Sequence, residues 1–236
     1  MIPKDSDSAS DGDWDDPEEL GWSEFDWEKY LRSQDDVVQR YLSLYEQSGS
    51  ADDRIDHVAR QMDWGDSDAD DEEDADDSDN LDNSEDFEDF DPYTLQRNPV
   101  FVAATALYQL VTRNWELTVI GTPGISSTLA VSYQTSLFRG ERNALLGIQS
   151  LDLGDYTLGI SLFKRAMKDL NLSMSFLAAP HFMEATPLAA YRTSTMPVLF
   201  DLREVLLRVI RECRDEIARH PRQSDEDEGD KRAEGA

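Results

Sequence analysis

Nearly all of the negative charge lies in the first 91 residues, and this uneven distribution decides which part of the chain can fold around a core. Residues 1–91 carry 34 Asp and Glu residues against 6 Lys and Arg residues, whereas residues 92–220 carry 11 against 13. A strongly charged segment with few apolar side chains cannot offset the entropy lost on folding. The sequence therefore predicts an acidic arm joined to a nearly neutral body of about 130 residues, long enough to bury a core.

The body, residues 92–220, has the apolar periodicity of helices, and we predict an all-α four-helix bundle. Asn98 and Pro99 form a typical helix start, and Pro197 forms a second one. The predicted helices cover about 99–119, 126–150, 153–177 and 197–220. A long connection, residues 179–196, is left between the third helix and the fourth. Gly140 and Gly147 weaken the second helix.

The third helix has the most regular pattern, because its apolar residues are alternately three and four positions apart. This spacing is typical of a coiled-coil-like contact face. The residues of this seam are Leu153, Tyr156, Ile160, Phe163, Met167, Leu170, Met174 and Leu177.

A small helical hairpin is predicted at residues 22–64, within the acidic arm. Ser23 and Asp26 suit a capping start, and Ser50 with Asp53 offers a second start after Gly49. Its first helix repeats apolar residues on one face: Trp27, Tyr30, Leu31, Val38, Tyr41, Leu42 and Tyr45. About 40 residues are marginal alone, so we expect the hairpin to dock on another surface.

The remaining segments are acidic and are predicted to be disordered. They are the tail 1–21, the linker 65–91 and the tail 221–236. The linker is expected to act as a tether between the hairpin and the bundle, extended by repulsion between its carboxylates.

The motifs of common enzymes and metal sites are missing, so we predict neither catalysis nor a cofactor. There is no Gly-x-Ser-x-Gly elbow and no phosphate-binding glycine loop. The three histidines do not form the Glu-x-x-His pairs of di-metal bundles. The acidic linker lacks the glycine of a calcium-binding loop. Cys213 lies on an apolar helix face, where a buried, inert thiol is expected.

Aromatic residues in the acidic arm are candidates for binding a partner. Trp22, Trp27, Phe87 and Phe90 stand among carboxylates, where disordered segments rarely carry such side chains. They are typical of a segment that docks on a partner protein. The alternative is that Phe87 and Phe90 pack onto the protein's own bundle.

Arginines in the fourth helix form a partly basic stripe that includes Arg208, Arg211 and Arg219. Such a stripe is usually a solvated face with local ion pairs, for example Glu204 with Arg208. A second hypothesis is that the acidic tether folds back onto it, as a weak and salt-sensitive self-contact.

These observations favour a non-enzymatic interaction or adaptor protein, with the bundle as a platform and the arm as a tethered docking element. One alternative is an acidic nucleic-acid mimic or chaperone for a basic protein. Another is a ligand-binding or enzymatic bundle with 179–196 as its lid. We expect a protein partner of unknown identity, with a basic protein as one candidate, and no direct contact with nucleic acid. We expect no membrane span, and both a monomer and a homo-oligomer fit the sequence. The expected location is the cytoplasm.

Overall fold

The computed structural model describes residues 23–49, 53–64, 98–184 and 186–219, and every regular element in these ranges is a helix. In chain order they are α1 (Glu24–Gln47), α2 (Arg54–Gln61), α3 (Pro99–Gly121), α4 (Ser127–Asp152), α5 (Tyr156–Leu177), α6 (His181–Glu184) and α7 (Thr186–Arg219). The all-α prediction is confirmed. The predicted disordered segments at 1–21, 65–91 and 221–236 lie outside the described residues.

Helices α3, α4, α5 and α7 form an approximate four-helix bundle. The main contacts run from α3 to α4, from α4 to α5, from α5 to α7 and from α7 back to α3. Short links join α3 to α4 and α4 to α5, which makes these neighbours antiparallel. The side chains agree, because Ser136 of α4 meets Ser173 of α5 while Gly147 faces Phe163.

The predicted start of the last helix at Pro197 is wrong. Helix α7 begins at Thr186, so Pro197 lies in its interior and Pro187 in its first turn, where proline is tolerated. The added turns are held by their buried side chains, since Leu188, Tyr191 and Thr195 recur at helical spacing. Tertiary burial therefore outweighs the hydrogen bond that Pro197 removes.

The predicted seam of the third helix is correct for most of its length and wrong at its first residue. Phe163, Leu170 and Leu177 are buried, and Tyr156, Ile160, Met167 and Met174 pack partly buried around them. Leu153 is 81% exposed and caps the end of α4 instead of belonging to α5. The error arises because α5 begins only after its N-cap Asp155.

Glycine allows α4 to approach its neighbours closely. A Cβ at Gly147 would lie 2.7 Å from Cε1 of Phe163, and a Cβ at Gly140 would lie 2.9 Å from Oη of Tyr108. Both distances are too short for a side chain, and the Phe163 ring is itself fully buried. These glycines are contact positions within one uninterrupted helix.

We expect Gly147→Ala to lower the free energy of unfolding by about 1 kcal/mol or more. Overpacking against Phe163 costs about 1–3 kcal/mol, which exceeds the ~1 kcal/mol that alanine gains in a helix. Gly121→Ala is the control, because no atom lies within 4 Å of a Cβ there. Urea unfolding should show a loss for the first variant and none for the second; equal stabilities would contradict the close contact.

The predicted hairpin is confirmed as α1 and α2, and it docks on the bundle. The α1 start has a complete capping box between Ser23 and Asp26. Helix α1 packs on α3, with Val38, Tyr41 and Tyr45 buried. Tyr41 also stacks on Trp64, with 5.6 Å between ring centroids. Only the second half of α1 is buried; its first half, which includes Trp27, is largely exposed.

Candidate protein-interaction site

An ion pair between the hairpin and α7 fixes where the hairpin sits. Arg54 donates from Nε to Asp201 Oδ2 at 2.9 Å and also reaches this oxygen through Nη2. Tyr45 Oη donates to the same oxygen at 2.5 Å. The Arg54 guanidinium lies over the Tyr45 ring, 4.1 Å from its centroid. Burial and the hydrogen bond to Asp201 hold the pKa of Tyr45 well above its usual range, so the phenol stays a donor.

A second contact joins the hairpin to the predicted basic stripe. Arg208 pairs with Asp56 of α2, and its Nε donates to Glu204 Oε1 at 3.0 Å. The hydrogen bond from Arg208 lowers the pKa of the Asp56 carboxyl. The predicted Glu204–Arg208 pair is therefore confirmed. Arg208 meets an acid of the hairpin here, while the predicted contact with the 65–91 tether concerns residues outside the described ranges.

The other two arginines of the stripe are exposed. Arg219 donates to Glu216 Oε2 at 3.1 Å. Arg211 lies on the exposed surface of α7. Their predicted self-contact with the acidic arm stays a prediction.

The most distinctive surface is a groove between α5 and α7, called here the α5–α7 groove. It has a volume of about 390 Å³. Its apolar floor is formed by Met167, Leu207 and Ile210, and Asn171 adds an amide. Leu207 is 38% exposed, so part of this floor faces solvent.

The rim of the α5–α7 groove is cationic. Lys164, Lys168 and Arg214 line it, and none of its lining residues is acidic. Lys164 and Lys168 are neighbours on α5 because they are four positions apart. The rim concentrates positive charge in a region, residues 92–220, that is nearly neutral overall, with 13 Lys and Arg residues against 11 Asp and Glu residues. The groove can therefore hold an anionic segment that also carries apolar side chains.

Phe200 extends the apolar part of this surface along α7. It is seven residues before Leu207, which places both on the same helical face. It is 53% exposed, a large fraction for a phenyl ring. An occupant longer than the groove can therefore bury a further aromatic contact beyond the rim.

A second groove, between α1 and α3, has a different character. Gln39, Glu46, Arg113 and Glu116 are among its lining residues, so it is polar and contains two carboxylates. An acidic ligand would be repelled there. This comparison favours the α5–α7 groove as the candidate site.

Of the four predicted partner-binding residues, the structure describes only Trp27. Trp27 lies on α1, is 45% exposed and meets Tyr30 edge-to-face at 6.1 Å. Trp22, Phe87 and Phe90 lie outside the described residues. Their role in binding a partner stays a prediction.

The connection predicted as a lid is mostly helical and packs into the core. Phe182, Leu188 and Tyr191 are buried, and Tyr191 Oη shares a hydrogen bond of 2.9 Å with Tyr133 Oη. Tyr191 also donates to the carbonyl of Val111 at 3.2 Å. Buried side chains therefore lie beneath the described part of this segment, and its role as a lid stays a prediction.

The thiol of Cys213 and the possible metal ligands are the remaining candidate groups. Cys213 is 3% exposed, as predicted, and burial raises the pKa of its thiol. Within the described ranges, no cluster of three or more His, Cys, Asp or Glu side chains is arranged to hold a metal ion. Among the helices described, none is both long and apolar enough to cross a membrane.

Sequence reasoning missed the α5–α7 groove. The signal available was Lys164 and Lys168, a pair of like charges four residues apart beside the apolar seam. Arg214 is about 50 residues away in the chain, and only the contact between α5 and α7 brings it to the same rim.

Comparisons with known proteins add no family to this all-α bundle with a docked hairpin. No protein-family model matches the chain, and neither a curated protein nor a solved structure is similar to it.

Proposed function

We propose that this protein is a non-enzymatic interaction or adaptor protein, and that its α5–α7 groove binds an acidic segment of a partner bearing large apolar side chains. The observation that supports this proposal is the combination of a part-exposed apolar floor with three cations and no acid.

The two parts of the groove contribute differently to binding. Apolar burial against Met167, Leu207 and Ile210 supplies most of the affinity, at about 25 cal/mol per Å² before the costs of association. Each exposed ion pair with Lys164, Lys168 or Arg214 adds only ~0–1 kcal/mol and weakens with salt. The charges therefore select acidic partners and speed their association more than they raise affinity.

The arm supplies a second binding surface beside the one on the bundle. The hairpin is fixed to the bundle through Asp201 and Asp56, so Trp27 on α1 has a defined position relative to the platform. An adaptor needs two surfaces held together. We propose the α5–α7 groove as one, and the aromatic residues of the arm (Trp22, Trp27, Phe87 and Phe90) as the source of the other.

A random-peptide display selection on the full chain tests the specificity of the groove. We expect enriched peptides to combine Asp or Glu with Phe, Trp or Leu, and to lose at least tenfold in affinity for the Lys164→Glu, Lys168→Glu variant. The control is Arg142→Glu with Arg165→Glu, which changes the net charge equally at exposed positions outside the groove. Equal loss in both variants, or no acidic enrichment, would contradict the proposed specificity.

A further inference from the structure

The sequence contains a segment with the composition that the α5–α7 groove selects. Residues 85–91, Glu-Asp-Phe-Glu-Asp-Phe-Asp, carry five carboxylates and two phenyl rings. They lie outside the described residues. We propose that residues 85–91 bind in the α5–α7 groove of the same chain, so that a partner must displace them. This inference rests on the proposed function, because it concerns regulation of the same site.

The length of chain available is sufficient for this contact. Asp91 is eight residues before Pro99, the first residue of α3, and eight extended residues span at most about 26–29 Å. Helices α3 and α5 start at the same end of the bundle, since α4 runs antiparallel to both. Lys164 is eight residues into α5, or about 12 Å from that end. Helix α7 is the neighbour of both α3 and α5, so the lateral distance is at most two interhelical spacings of about 8–10 Å each, and the segment can still reach the groove.

Charge favours the α5–α7 groove over the groove between α1 and α3 as the site for this segment. Its rim presents Lys164, Lys168 and Arg214 to the five carboxylates of the segment. The groove between α1 and α3 presents Glu46 and Glu116, which repel such a segment. Phe87 and Phe90 match the part-exposed apolar floor. The groove therefore fits both the acidic and the aromatic side chains of the segment.

Tethering makes a weak contact effective. A segment held by a short linker is present at an effective concentration of about 1 mM. If the free segment binds with a dissociation constant of about 0.1 mM, chains with the tethered segment bound in the groove outnumber chains with an empty groove by about ten to one. A competing peptide then binds the wild-type chain about tenfold more weakly than a chain whose own segment cannot bind.

The experiment measures binding of a fluorescent synthetic peptide, residues 82–93, to full-length variants. Phe87→Ala with Phe90→Ala should bind this peptide about tenfold more tightly than the wild type does. Phe25→Ala with Phe138→Ala is the matched control, because both of these rings are exposed elsewhere, on α1 and α4. It should bind like the wild type. Adding Lys164→Glu and Lys168→Glu to the first variant should remove the binding.

The outcomes separate this inference from the proposed function. Groove-dependent binding with equal affinity for the wild type and the Phe87, Phe90 variant would overturn the self-contact and leave the groove specificity standing. Absence of binding to that variant would overturn both. Met-methyl NMR of the full chain gives a second readout. The methyl signal of Met167, in the groove, should shift between wild type and this variant, and that of exposed Met183 should not. An unchanged Met167 signal would overturn the self-contact.

Discussion

Trp115→Ala is expected to lower the free energy of unfolding by about 3–5 kcal/mol, the largest effect of any single substitution proposed here. Trp115 of α3 is fully buried at the point where three other helices meet. Its ring lies 4.6 Å from that of Tyr133 in α4, 5.3 Å from Tyr191 in α7 and 6.0 Å from Phe182 in α6. Alanine would leave a cavity beneath the 179–196 connection, and the surrounding rings could fill it only in part.

Trp27→Ala is the matched control for this experiment, because it removes the same side chain from a position that is 45% exposed. We expect it to cost less than about 1 kcal/mol. Urea unfolding followed by far-UV circular dichroism measures both variants without relying on tryptophan fluorescence. A loss of stability at Trp115 no larger than the loss at Trp27 would show that the aromatic cluster does not hold the connection in place.

Asp201→Asn should release the hairpin from the bundle, with a loss of about 2–4 kcal/mol in docking energy. The Arg54 side chain is only 11% exposed and has Asp201 as its carboxylate partner. Asparagine keeps the size of the side chain and removes the charge, so the guanidinium would be left part-buried without a counter-ion. Tyr45 would at the same time lose a charged acceptor.

Hydrogen exchange resolves this effect by region. Amides in α2 and in the second half of α1 should exchange faster in Asp201→Asn, while those of α4 and α5 keep their protection. Glu28→Gln is the control, because its pair with Arg32 is exposed on both sides and contributes ~0–1 kcal/mol. Unchanged exchange in α2 would show that apolar contacts alone hold the hairpin.

The periodicity of apolar residues predicted the helices well and predicted one boundary badly. Pro99 and Ser23 mark true helix starts, since each has the local chemistry of a cap. Pro197 also precedes an apolar helical run, but Met196 before it is not a capping residue, and Pro197 lies inside α7. The difference is tertiary, because Tyr191 and Leu188 gain burial against the core only if the helix begins before the proline. A local signal cannot include that gain.

The candidate site shows the same division between local and long-range information. The stripe of arginines on α7 was visible in the sequence, and Glu204 beside Arg208 was predictable from spacing alone. The partner of Arg54 was not, because Asp201 is 147 residues away. The α5–α7 groove was not predictable either, since it exists only where two helices meet.

The sequence by itself determined that the nearly neutral part of the chain would form a bundle, that the fold would be helical and that a hairpin would precede the bundle. These properties depend on charge density and on apolar spacing, which are local. Only the tertiary structure decided where the hairpin sits, where α7 begins, and which surface combines apolar side chains with positive charge. Those features depend on contacts between residues far apart in the chain, and their energies appear only when the helices pack together.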